Sequence, residues 1–157
     1  MLNLIKKIFG SDNKRELSRI QKIVDSINKF EDELANKSDD ELKSETFSIR
    51  SSIKNIEDLD KHLPRILGIA REASNRNLGL RPFDVQLVGA IALHEGKISE
   101  MKTGEGKTLV ASLAVVLNSL YRSVHLITVN DYLARRDALW MSPIYISLGL
   151  KVGVLNT

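Results

Sequence analysis

The chain has 157 residues, 43% hydrophobic and 27% charged, with 23 basic against 20 acidic side chains and no cysteine. That is an ordinary globular composition, long enough to bury a core, and it excludes disulfides and thiolate metal sites. A net charge of +3 gives no argument for a nucleic-acid partner, no apolar run reaches the ~20 residues of a membrane-spanning helix, and no secretory leader opens the chain, so the default compartment is the cytoplasm.

Residues 1 to 9 form a small amphipathic segment. Met1, Leu4, Ile5 and Ile8 share one face, with Lys6 and Lys7 opposite. Two readings stand: a helix packed on its own domain, or a basic helix lying on an anionic lipid surface. Residues 14 to 36 read as one helix through Leu17, Ile20, Val24, Ile27, Phe30 and Leu34. Ser38 and Glu41 have the spacing of a capping box, which starts a helix running to about Ile53. Residues 58 to 77 are a further helical stretch, with Pro64 tolerated near its start. The charged faces of these helices read as solvated. The three histidines, His62, His94 and His125, show no ligand spacing.

Gly79 closes that helix, Pro82 can start the next, and Val85 to Leu93 continue it. Gln86 carries an amide donor and a carbonyl acceptor, a pair suited to the N6 and N7 edge of adenine. Arg81 or Phe83 could cover the ring. The alternative is a polar residue facing solvent.

The run Met101-Lys102-Thr103-Gly104-Glu105-Gly106-Lys107-Thr108 is the most informative stretch. It matches a phosphate-binding loop except at its first position, where methionine replaces glycine. Glycines let backbone N–H groups converge on phosphate oxygens, and a following helix adds its positive end. Lys107 would reach the terminal phosphates, and the Thr108 hydroxyl would hold Mg²⁺. The competing reading is a glycine-rich turn with an incidental Lys-Thr pair. Residues 97 to 101 read as a strand before the loop and 109 to 120 as the helix after it. Residues 124 to 129 read as a buried strand, 132 to 148 as a helix capped by Asn130-Asp131, and 151 to 155 as a third strand.

The expected fold class is therefore α/β: N-terminal helices over 1–77, then over 78–157 the start of a RecA-like or helicase-like parallel-sheet nucleotide-binding domain, incomplete at its C-terminus. Hydrolysis also needs a Mg²⁺ carboxylate and a group that activates water. Asp131 follows an apolar segment, but it sits where a helix cap is needed. Both groups are expected beyond Thr157, and the chain alone is expected not to hydrolyse ATP.

Four runs together resemble one family: Leu80 to Leu87, Leu93 to Ile98, Glu100 to Leu109, and Thr128 to Asp137. They are similar to SecA, the motor ATPases that drive bacterial preproteins through a membrane channel, and Met101 agrees with that family's loop. The chain departs from the family's pattern at Ala90-Ile91, at Ser112-Leu113-Ala114 and at Tyr121-Arg122-Ser123, all places of helix packing or a loop. The resemblance implies ATP and Mg²⁺ as cofactors, Gln86, Gly104, Glu105, Gly106, Lys107 and Thr108 as nucleotide-binding residues, and Lys107 and Thr108 as the catalytic pair. It implies a SecY-type channel, preproteins, anionic lipids at the N-terminus and a second copy of the chain as partners. The implied location is the cytoplasm and the cytoplasmic side of the bacterial inner membrane. A helicase-like nucleic-acid motor, or a nucleotide-binding module without hydrolysis, are the alternatives.

Overall fold

The structure is a computed structural model, and it describes residues 12–155. The amphipathic stretch Met1 to Phe9, with its lipid reading, lies outside the described residues. Among the described residues seven helices follow one another: α1 (Asp12–Asn28), α2 (Glu31–Ala35), α3 (Asp39–Ser52), α4 (Ile56–Leu78), α5 (Asp84–His94), α6 (Lys107–Ser119) and α7 (Asp131–Ser147).

α4 is the hub. Six consecutive residues from Ile66 to Arg71 are buried, with Leu59, Leu63, Ala73 and Ser74. A helical stretch buried on every side must have neighbours on every side. α1, α2 and α3 cover one part of it, and α6 and α7 cover another; α5 packs on α1 and α6. Gly68 permits a close approach of α2, since a Cβ there would stand 2.9 Å from Leu34 Cδ1. One apolar cluster runs unbroken from Ile20 to Leu148.

Local chemistry sets the helix ends. Ser38 Oγ accepts from the Glu41 N–H at 3.3 Å, and Glu41 Oε2 accepts from the Ser38 N–H at 2.7 Å, so the capping box forms. Asn55 Oδ1 accepts from the Asp58 N–H at 2.8 Å and starts α4 two residues earlier than expected. Asn130 Oδ1 does the same for α7 through the Leu133 N–H at 2.9 Å. Gly79 ends α4 with φ 65°. Pro64 lies well inside α4 rather than near its start, at the loss of one backbone hydrogen bond. The helix expected over 14 to 36 is two helices, broken at Lys29-Phe30.

The expected parallel sheet is absent: among the described residues there is no strand. Residues 97–101, 124–129 and 151–155 run without regular secondary structure. Their β-branched composition expresses a demand for ladder partners, and a strand exists only where a neighbour supplies them. No ladder joins these segments, and Ile98 and Ile127 are 96% and 90% exposed. The α/β assignment is thus corrected to an all-helical arrangement for the described residues.

One further correction concerns charge. Arg71 belongs to no solvated face; it is 3% exposed. His94 is clamped, with Nδ1 3.0 Å from Asn118 Oδ1 and Nε2 2.8 Å from Asp60 Oδ1, joining α4, α5 and α6.

Arg65 ties the N-terminal helices together. Its guanidinium donates to Glu33 at 2.6 and 2.8 Å and to Glu45 at 2.5 Å, and lies 4.8 Å from the Phe30 ring centroid. Hydrogen bonding from Arg65 holds the Glu33 carboxyl at about 2, far below its ordinary 4.5. A carboxyl lowered on folding contributes stability above its unfolded value and loses it as pH falls through the folded one. The urea midpoint is therefore expected to drop as pH goes from 4.5 towards 2. Arg65→Met should flatten that slope and lower the midpoint at pH 7; an unchanged acid slope in the variant would contradict the assignment.

Candidate nucleotide-binding site

The 101–108 part of the loop between α5 and α6 is shaped by two glycines in the left-handed region, Gly104 at φ 88° and Gly106 at φ 83°. Left-handed backbone is costly for residues with a Cβ. Gly106 is also the N-cap of α6, so Lys107 and Thr108 are the first two helical residues. Around Gly104 the space for a Cβ is open, with no heavy atom within 4 Å. The result is an exposed turn set on the positive end of a helix.

The loop satisfies its own polar groups. Glu105 Oε2 accepts from the Lys102 N–H at 2.7 Å, so a carboxylate oxygen sits on a loop amide. Lys107 Nζ donates to the carbonyls of Met101 and Lys102 at 3.1 and 3.0 Å. The Thr108 carbonyl accepts from Ser112 Oγ at 2.8 Å, inside α6. The loop therefore binds a carboxylate through an amide and holds an ammonium over its carbonyls, which is the donor chemistry a phosphate requires.

Gln86 closes the back of the loop. It is 7% exposed, on the first turn of α5. Its Oε1 accepts from the Phe83 N–H at 2.9 Å, which caps α5. Its Nε2 donates to the Glu105 carbonyl at 2.9 Å. A primary amide has two donors and two lone pairs, so one of each remains, the number an adenine edge uses. Gly106 is required here for a second reason: a Cβ on it would stand 2.4 Å from Gln86 Nε2. Of the two residues named for the ring, Arg81 is held by Glu31 at 2.5 and 2.6 Å, while Phe83 is exposed.

The six residues expected to bind nucleotide thus lie in one neighbourhood, Gln86 against Glu105 and Gly106, followed by Lys107 and Thr108. Among the described residues no group of three or more His, Asp or Glu side chains could hold a metal ion. Asp131 opens α7, and Arg136 pairs with the neighbouring Asp137 at 2.8 Å.

Sequence reading missed the support behind Gln86. Asp84, the first residue of α5, accepts from Arg71 Nη2 at 2.8 Å and from Asn28 Nδ2 at 3.1 Å. The available signal was an arginine on the turn that also carries Leu67, Ala70 and Ser74.

The two glycines separate strain from contact. Gly104→Ala should cost about 1–2 kcal/mol from backbone strain alone. Gly106→Ala should cost more, because the new methyl also drives Gln86 off Glu105. Urea denaturation of both variants checks this, and equal losses would contradict the Gln86 contact.

Residues 5–157 match the SecA DEAD-like domain. The protein translocase subunit SecA of Fervidobacterium nodosum is 52% identical over all of this chain and 18% of its own length. That of Thermotoga neapolitana is 52% identical over 96% of this chain, and that of Stutzerimonas stutzeri 53% over 98%, each across 17% of the relative. The chain therefore spans less than a fifth of the length of the curated relatives it matches. With the match running through the loop, Gln86 and the helices that carry them, the chain belongs to the SecA family.

Proposed function

We propose that this chain supplies the ATP-binding part of a protein-translocating motor ATPase, in which ATP binding and hydrolysis are coupled to moving preproteins through a SecY-type channel. The observation that carries this reading is Lys107, placed directly after left-handed Gly106 at the start of α6, with its ammonium turned back over the loop. Such an ammonium can exchange carbonyl oxygens for phosphate oxygens with little movement. Binding would also free the Lys102 N–H from Glu105, giving a triphosphate one more donor. Gln86 would offer its remaining donor and acceptor to adenine, with exposed Phe83 as a cover for the ring. Thr108 would hold Mg²⁺, which when bound neutralises phosphate charge.

Residues 78–157 form the nucleotide-binding portion in this reading and 1–77 the helical portion that carries it; the left-handed Gly79 supports the division. The amphipathic N-terminus would meet anionic lipid on the cytoplasmic face of the bacterial inner membrane, and a homodimer is a further expectation. Among the described residues no helix is long and apolar enough to cross a membrane.

In the full-length protein, Lys107→Ala should abolish measurable ATPase activity and weaken ATP binding at least about a hundredfold, the scale of losing a charged contact to phosphate. Stimulation of the wild type by channel and preprotein, rather than by nucleic acid, should accompany it. Retained turnover in the variant would refute the site.

A further inference from the structure

The buried Arg71 cluster stands behind the candidate site and has no role in the reading above. Arg71 Nη2 donates to Asp84 Oδ1 at 2.8 Å, and Nη1 donates to Asn28 Oδ1 at 2.6 Å and to Glu31 Oε2 at 3.5 Å. Asn28 Nδ2 returns a bond to Asp84 Oδ2 at 3.1 Å, and Glu31 is gripped from outside by Arg81. One guanidinium thus joins the end of α1, the start of α2, the middle of α4 and the start of α5.

As a stabiliser this arrangement is poor. Arg71 Nε is buried and has no hydrogen-bond partner. Burial lowers the Arg71 pKa, and Arg81 nearby opposes its charge further. A buried ion pair with an unpaired N–H returns little net stability. What a rigid, planar guanidinium does supply is geometry. Asp84 is the first residue of α5, and Gln86 lies two residues along the same turn. The orientation of that turn decides whether Gln86 Nε2 meets the Glu105 carbonyl beside Gly106.

We infer that Arg71 is a positioning residue for the nucleotide site: through Asp84 it fixes the first turn of α5 and so sets Gln86 against the phosphate loop. The inference rests on the nucleotide-binding reading of that loop. Arg71 itself touches no nucleotide; its effect passes wholly through Gln86.

A double-mutant cycle on ATP affinity in the full-length protein tests this, with folding checked separately by thermal melts. Arg71→Lys keeps the charge and loses the planar fork, and Gln86→Ala removes the group being positioned. Each should weaken ATP binding about tenfold, and the double variant should bind no more weakly than Gln86→Ala alone, since residues acting through one contact are not additive. Asp84→Ala, at a partly exposed position, serves as the second variant if Arg71→Lys does not fold, with the same expectation. A folded variant that binds ATP as tightly as the wild type would overturn the inference. So would losses that multiply to about a hundredfold in the double variant, the mark of independent effects. Failure of the site reading looks different: Lys107→Ala would then leave ATP affinity unchanged.

Discussion

The burial of the middle of α4 on all sides is the constraint on which the rest of the structure depends. A run of six consecutive buried residues cannot be satisfied by one layer of neighbours. It draws α1, α2 and α3 to one part of the helix and α6 and α7 to another. α6 carries Lys107 and Thr108 at its start, so the helix behind the 101–108 loop takes its place from the core. α5 is located by α6 and α1, and its first turn by the Arg71 cluster. The loop between them is exposed, yet both its ends are anchored.

Within that frame the loop conformation follows from few atoms. Gly106 must be glycine on two counts, its left-handed backbone and the nearness of Gln86. Gln86 divides its amide between the cap of α5 and the Glu105 carbonyl. In the proposed reading, the base-reading and loop-shaping groups are therefore the same side chain. Glu105 and Lys107 keep the loop's amide and carbonyls satisfied by charges of their own. An incoming triphosphate with Mg²⁺ would compete with a carboxylate and a set of carbonyls, not with bulk water alone.

Local signals made much of this legible in the sequence. The Ser38–Glu41 box, the cap at Asn130 and the stop at Gly79 depend on neighbours three or four residues away, so spacing reveals them. The glycines and Lys107 are legible for the same reason. The absence of a sheet among the described residues was not: Val124 to Val129 shows an apolar demand, but whether a ladder forms depends on segments far along the chain. Arg71 was hidden by a different rule. Arginine defaults to the surface in any periodicity argument, and only tertiary packing shows Asn28 and Asp84 converging on it. The break at Lys29-Phe30 was masked because Leu34 stays in phase with Ile27 across it.

Hydrogen–deuterium exchange of the full-length protein, with and without Mg²⁺ and ATP, tests the central claim most directly. If residues 102–108 hold the triphosphate and Gln86 the base, amide exchange should slow in peptides covering 80–87 and 102–108 when nucleotide is added. Unchanged exchange in both peptides, with ATP bound and protection confined to other parts of the protein, would contradict the site.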